Sequence, residues 1–331
     1  MAVWLVNVPL WLQIVTAVGF VAVLAADFYI VDKRPHAFTT KDATFWVGIY
    51  VSLAIVFGVV LYALYGSEIA GQFAAAYLTE YSLSVDNLFV FLVIMSSFAV
   101  PALLQHRVLL VGVILALILR AILIVVGVSA ISVFEPLFLL FGLFLLWTAW
   151  KVGRGEDEDD AGDVQDKLLV RMVSKAMPTH SEFDGTKMFT HIDGVRHLTP
   201  MALVMVAIGG TDIMFALDSI PAVLGLTTEL FIVITSNAFA LMGLRQLYFL
   251  LNGLIARLVH LARGLAIILA FIGIKLSIMG LEAAMGADIL HINTFVSLAV
   301  IVAVLTVTTI TSLIATRRET AVSDSTIGDA D

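Results

Sequence analysis

Long apolar segments separated by short polar ones run through almost the whole chain. A helix that crosses the hydrocarbon core of a bilayer needs about 20 predominantly apolar residues. The segments of that length cover residues 9–31, 43–64, 69–97, 106–130, 133–151, 199–224, 229–254, 258–280 and 292–315. The pattern therefore predicts an all-α, polytopic membrane protein with about nine transmembrane helices.

Composition agrees with this prediction and narrows the chemistry. Of the 331 residues, 61% are hydrophobic and 13% are charged, whereas a soluble domain is about half apolar and about a quarter charged. The chain contains no cysteine, which excludes disulfides and thiolate metal sites and disfavours zinc or copper(I) chemistry based on sulfur. The net charge of −8 comes largely from one polar loop and the C-terminal tail.

The distribution of Lys and Arg predicts the orientation in the membrane. Cytoplasmic loops carry an excess of these residues, and 15 of the 18 lie on one side, in the C-terminal tail, in loops after odd-numbered spans or at the span ends that adjoin those loops. The opposite side has none. We therefore expect an external N-terminus, a cytoplasmic C-terminus and a cytoplasmic loop at 153–198 in the plasma membrane.

Two of the apolar segments carry acidic motifs that repeat each other. The first, TEYSLSVDNLFVF, begins at Thr79, and the second, AIGGTDIMFALDSIPAV, begins at Ala207. Acids inside a membrane span are costly and are usually functional. The two acids of each motif are six residues apart: Glu80 and Asp86 in the first, and Asp212 and Asp218 in the second.

The motifs divide the chain into two units of three spans. Because three is an odd number, the second copy must enter the membrane from the opposite side, which predicts inverted repeats of the kind found in secondary transporters. The predicted units are two N-terminal helices (1–68), the first repeat (69–152), the cytoplasmic acidic loop (153–198), the second repeat (199–280), a C-terminal helix (281–315) and a disordered tail (316–331).

The spacing of the acids leaves two arrangements open. In a regular helix, residues six apart point about 120° away from each other, so the two acids of one motif cannot face one point. Either the helices unwind so that all four acids converge, or one acid of each repeat faces the metal while the other pairs with an arginine. Gly209, Gly210 and Pro221 favour unwinding in the second motif, whereas the first has no glycine or proline between its acids.

Other polar residues in the spans complete the predicted site. Ser84, Asn87, Thr211 and Ser219 are candidate additional ligands. Arg120, Arg245 and Lys275 are candidate charge partners, because buried charges need partners, and the arginines should hold the acids ionised and oriented. Asp27 lies outside both repeats near the end of the first span, and we expect it to modulate transport without being indispensable.

The donor types indicate a class of cargo. Carboxylate, amide and hydroxyl oxygens are hard donors that suit Mn²⁺, Ca²⁺ or Mg²⁺. Carboxylates must be deprotonated to bind a metal, so protons should compete with it. This competition is a basis for exchanging metal against protons.

At these residues the chain resembles the TerC family of integral membrane proteins, grouped with the LysE-type transporters. The matching segments are EYSLSVDNLFVF (80–91), TDIMFALDSIPAV (211–223), TSNAFALMGLRQLYFLL (235–251) and FIGIKL (271–276). The resemblance covers roughly residues 20–280. It implies Mn²⁺ export, with Glu80, Asp86, Asp212 and Asp218 as the translocation acids, and the family takes its name from tellurite resistance.

The leading hypothesis is a secondary transporter that exports Mn²⁺ from the cytoplasm in exchange for protons. The alternatives are a Ca²⁺/H⁺ exchanger using the same residues and a membrane partner in tellurite or envelope-stress resistance that does not transport. We expect no enzymatic activity, because the motifs of two-aspartate intramembrane proteases are absent, and no tightly bound cofactor. The expected partners are the metal ion, protons, the lipid bilayer and further copies of the chain, with no nucleic acid.

Overall fold

The computed structural model describes residues 8–33, 40–154, 170–173, 177–180, 182–192, 195–251, 261–285 and 292–328. The helices whose bounds it gives are α1 (Leu10–Lys33), α2 (Thr40–Ser97), α3 (Ala102–Val133), α4 (Leu137–Gly153), α5 (Pro200–Leu224), α6 (Leu230–Met242), α7 (Leu244–Leu251), α8 (Leu261–Met285) and α9 (Thr294–Gly328). Strands β1 (Phe189–Ile192) and β2 (Val195–Leu198) lie between α4 and α5.

The helices confirm the prediction of an all-α membrane protein. Five of those in the described ranges are long and apolar enough to cross a bilayer, by length and composition: Lys41–Ser84, Leu104–Val133, Pro200–Leu224, Arg263–Met285 and Thr294–Ser312. Leu10–Ala26, Leu137–Gly153 and Leu230–Met242 are apolar but shorter. The count of about nine crossings and the inverted repeats stay predictions.

Helix α2 bends sharply at a single glycine. Gly66 has φ 83° and ψ −175°, a conformation that residues with a Cβ rarely adopt. The 44 apolar residues of Lys41–Ser84 would span about 66 Å as one straight helix, roughly twice the hydrocarbon thickness. The bend therefore divides α2 into two segments, 40–65 and 67–97, close to the second and third predicted spans.

Helix α5 is continuous through both predicted breaking points. It runs from Pro200 to Leu224 with Pro221 inside it, so the reading in which this segment unwinds is wrong for this structure. The glycines allow close packing instead: a Cβ on Gly209 would lie 3.0 Å from Leu115 Cδ2 of α3. From the other side, a Cβ on Gly112 would lie 3.1 Å from Ile208 Cγ2.

An apolar core forms where α3, α4, α5 and α8 meet. Ile124, Leu145, Val223 and Leu269, one from each helix, are at most 1% exposed. Within this core α4 and α8 are antiparallel and approach each other at their glycines. A Cβ on Gly142 would lie 2.7 Å from the carbonyl oxygen of Gly273. Small residues let helix backbones approach in this way in membranes, where van der Waals packing drives association.

A β-hairpin occupies the end of the predicted cytoplasmic loop, which the apolar pattern did not predict. Its strands β1 and β2 pair antiparallel, with Phe189 opposite Leu198 and Ile192 opposite Val195. Nearby, hydrogen bonds from Lys187 and then Thr190 lower the pKa of the exposed Asp184 carboxyl. Thr199 closes the hairpin by donating to the Lys187 carbonyl oxygen at 2.6 Å and by capping α5.

Gly280→Ala should destabilise the protein by about 1–3 kcal/mol, the usual cost of overpacking. The new Cβ would lie 2.6 Å from Leu139 Cα, and backbone atoms cannot move aside as a flexible side chain can. The matched control is Gly48→Ala, because a Cβ there meets nothing within 4 Å. Thermal unfolding of the purified proteins in detergent measures both, and equal stability of the two variants would contradict the close packing of α4 on α8.

Candidate functional site

The candidate site is centred on one buried arginine. Arg120 of α3 is 1% exposed. Its Nη1 donates to Glu80 Oε2 at 3.0 Å, and its Nε donates to Asp212 Oδ1 at 3.1 Å. Glu80 and Asp212 are themselves 1% and 2% exposed. The guanidinium therefore connects the first acid of each motif, bringing together α2, α3 and α5.

Helical geometry explains which residues of α5 reach Arg120. Asp212 and Ser219 are seven residues apart and share one face of a regular helix. Ser219 Oγ accordingly accepts from Arg120 Nη1 at 3.4 Å. Asp218 points elsewhere: its Oδ1 accepts from Thr148 Oγ1 of α4 at 3.4 Å. The structure thus brings Asp212 and Ser219 to the arginine and directs Asp218 to another helix.

Several polar atoms of the cluster and of the helices that carry it are buried and have no hydrogen-bond partner. Each acid uses one oxygen on Arg120 and leaves the other, Glu80 Oε1 and Asp212 Oδ2, without a partner. Three hydroxyls of α2 and one amide of α6 share this condition: Thr79 Oγ1, Ser82 Oγ, Ser84 Oγ and Asn237 Nδ2. Leaving buried polar groups unpaired costs free energy, and such atoms in a native protein often mark a functional site.

The charges of the cluster also do not balance. Among the described side chains, the two carboxylates, when ionised, and the one guanidinium sum to −1. The Asn237 side chain lies close enough to Glu80 to act on it as a weak hydrogen-bond donor, although its Nδ2 does not reach an acceptor at full hydrogen-bond distance, and an amide adds no charge. A cation or a proton would balance the remaining charge, and the unpaired carboxylate oxygens are the atoms to receive it.

The remaining predicted ligands have varied positions. Ser84 is buried, and its hydroxyl has no hydrogen-bond partner. Thr211 donates its hydroxyl to the Ala207 carbonyl oxygen of its own helix at 2.8 Å. The side chains of Asp86, Asn87, Arg245 and Asp27 lie outside the part of the chain whose side chains are described.

Lys275 was predicted to pair with the site acids, but in the structure it has other partners. Its Nζ donates to Ser297 Oγ of α9 at 3.2 Å, and Glu68 is the acid that acts on it electrostatically. Glu68 in turn accepts from Thr294 Oγ1 at 2.6 Å. Lys275 therefore belongs to a second polar cluster, because the rotation of α8 in the bundle turns it toward α9 and the bend of α2.

The sequence analysis did not select Thr79, which precedes Glu80 and has an unpaired buried hydroxyl, or Thr148, which donates to Asp218. Thr79 could have been found from the repeat, because Thr79 and Glu80 precede Thr211 and Asp212 by the same 132 residues (211 − 79 and 212 − 80). Thr148 carried no such signal, since a lone threonine in an apolar helix is usually a packing residue. Among the described residues, no three His, Cys, Asp or Glu side chains are grouped to hold a metal.

The apolar helices and the ion pairs buried between them are those of an integral membrane protein that holds charged side chains inside its helix bundle. The chain belongs to the integral membrane protein TerC family, whose model matches residues 65–320, as the resemblance of the motifs implied.

Curated relatives match over most of the chain. It is 44% identical over 269 residues to an uncharacterized membrane protein of Mycobacterium tuberculosis, covering 81% of this chain and 68% of the relative. It is 39% identical over 297 residues to one of Myxococcus xanthus, covering 90% of each. It is 41% identical over 301 residues to the Escherichia coli protein named "Putative membrane-bound redox modulator Alx", covering 88% and 91%. No solved structure matches significantly.

Arg120→Gln should destabilise the protein by about 3–5 kcal/mol, because it leaves two buried carboxylates without their cation. Asp212→Asn should cost much less, since the remaining Glu80 and Arg120 charges cancel. The measurement is the free energy of unfolding of both variants in the same detergent. A larger loss for Asp212→Asn than for Arg120→Gln would show that the cluster is not net anionic.

Proposed function

We propose that the chain is a secondary transporter that exports a divalent metal cation, most favourably Mn²⁺, from the cytoplasm in exchange for protons. The observation that carries this proposal is the buried anionic cluster. Glu80 and Asp212 are held by one guanidinium, and each keeps one oxygen without a partner. A soluble cation that enters the bundle would supply both the missing charge and the missing contacts.

The donor types favour a hard divalent ion. The unpaired atoms on α2 and α5 are carboxylate and hydroxyl oxygens, which suit Mn²⁺, Ca²⁺ and Mg²⁺ better than softer metals. Binding a metal to carboxylates displaces protons, so the same groups can carry either ion. The choice of Mn²⁺ rests on the family resemblance of the two acidic motifs, and Ca²⁺ exchange at the same residues is the second candidate.

We also propose that the two motif-bearing units are inverted repeats. A pseudo-twofold axis would exchange segment 67–97, α3 and α4 with α5, α6–α7 and α8. Under this exchange the contact between α3 and α5 maps onto the contact between α6 and α2, and the contact of α4 with α8 maps onto itself. Each of these helix pairs is in contact, which supports the proposal.

The proposed orientation follows the Lys and Arg distribution. It places the hairpin of β1 and β2 in the cytoplasm and the turn between α3 and α4 outside. The relative named as a redox modulator suggests a further role, but thiol–disulfide exchange needs cysteines and these 331 residues contain none. Transport accounts for the buried acids, whereas a membrane partner without transport would leave them unexplained.

In everted vesicles, which expose the cytoplasmic face, we expect uptake of Mn²⁺ to exceed that of Ca²⁺ and Mg²⁺. Asp212→Asn should reduce Mn²⁺ uptake at least about tenfold, because a hard divalent ion loses an anionic ligand in a medium of low dielectric constant. Asp184→Asn is the matched control, since this carboxylate is exposed near the hairpin. Parent-like uptake by Asp212→Asn would remove this acid from the proposed site.

The same assay decides the role of Asp218, which contacts Thr148 in place of Arg120. If Asp218 is a ligand, Asp218→Asn should lower Mn²⁺ uptake as strongly as Asp212→Asn. A small effect would assign the metal to the Glu80–Asp212 pair and leave Asp218 as a partner of α4.

The absence of cysteine makes the orientation directly testable. Glu182 and Glu135 are both exposed, the first near the hairpin and the second in the turn between α3 and α4. A membrane-impermeant maleimide should label Glu135→Cys in intact cells and Glu182→Cys only in everted vesicles, while the parent protein gives no background. The reversed labelling pattern would invert the proposed topology and the direction of transport.

A further inference from the structure

One guanidinium occupies the place between the first acids of both motifs. Arg120 Nη1 and Nε each contact one oxygen of a different carboxylate, at 3.0 and 3.1 Å. All three side chains are at most 3% exposed. Arg120 is therefore the cation that these acids hold in the structure, and it is attached to the protein by its own side chain.

We propose that Arg120 is a tethered substitute for the cargo: it occupies the acid pair when no metal is bound and leaves the pair when the metal arrives. This inference rests on the proposed transport function and adds to it. A carrier must return its binding site across the membrane after releasing its cargo. Arg120 eases the return of the metal-free carrier, because it reduces the charge of the ionised acid pair from −2 to −1 and leaves one negative charge for a returning proton to neutralise.

The contacts allow the exchange of Arg120 for a metal to proceed in steps. Glu80 Oε1 and Asp212 Oδ2 have no full hydrogen-bond partner, so each acid keeps an oxygen that an incoming cation can contact before the ion pair of that acid with Arg120 breaks. Its positive charge then repels the guanidinium, and like charges interact strongly where water is excluded. Ser219 Oγ, already 3.4 Å from Nη1, remains an acceptor for the displaced arginine.

A supporting role for Arg120 predicts the opposite effect on affinity. If the arginine only orients the acids, its loss weakens metal binding. If it competes with the cargo for the same carboxylates, its loss strengthens binding. The two roles also differ in flux: net export requires the carrier to return without metal, whereas exchange of labelled for unlabelled Mn²⁺ does not.

The experiment uses the full-length protein in liposomes and compares the parent with Arg120→Gln and Arg120→Lys. We expect Arg120→Gln to bind Mn²⁺ at least about tenfold more tightly, since a competing buried charge is gone. Net Mn²⁺ efflux should fall at least about tenfold while Mn²⁺/Mn²⁺ exchange stays within about twofold of the parent. Because Arg120→Gln should be unstable, Arg120→Lys is the second variant. Its ammonium cannot grip both acids as the planar fork does, so the ratio of exchange to net efflux should also rise.

The matched control is Lys275→Gln, which removes a buried cation that contacts Ser297 and not the acid pair. It should not tighten Mn²⁺ binding. Weaker Mn²⁺ binding by the Arg120 variants, or a parent-like ratio of exchange to net efflux in Arg120→Lys, would overturn the inference while leaving transport in place. A parent protein that moves no divalent metal would overturn the proposed function itself, and the inference with it.

Discussion

The ion pairs of Arg120 with Glu80 and Asp212 are the interaction on which the arrangement of this bundle depends. Taking three charges out of water costs several kcal/mol per ion, and only close geometry repays it. That requirement fixes α2, α3 and α5 relative to one another, because each supplies one member of the cluster. Two acids and one base leave an excess negative charge, so the same interaction that joins the helices also creates a demand for a cation.

Close backbone packing surrounds this polar centre. Glycines of α3 and α5 accept side chains of the facing helix, and α4 and α8 approach each other at Gly142 and Gly273. The contacts between α4 and α8 fix the relative depth of these two helices, because they join backbone to backbone and backbone atoms cannot move aside. Helix α2, by contrast, bends at Gly66, which separates the segment that carries Glu80 from the segment before it. The acid pair thus joins a glycine-packed part of the bundle to a helix with a defined bend.

The two acids of the second motif serve different neighbours. Asp212 faces the arginine, and Asp218 faces Thr148 of α4. A second polar cluster around Lys275, Ser297 and Glu68 lies where α8, α9 and the bend of α2 meet. The described polar groups of this chain therefore form separate clusters along the bundle. Each cluster gives specific residues at which transport can be tested.

The sequence by itself determined the membrane character, the approximate positions of the helices and the shared face of Asp212 and Ser219. These properties are local, because they depend on the length of an apolar segment and on the period of a helix. Only the tertiary structure decided that Arg120 reaches both acids, that Asp218 turns to α4 and that Lys275 turns to α9. Gly209 likewise indicated a break in the helix from the sequence. In the structure the helix continues, and the missing side chain of Gly209 lets Leu115 of α3 approach closely. Such outcomes depend on how each helix is rotated and how deep it lies against its neighbours, and many distant residues together set those two quantities.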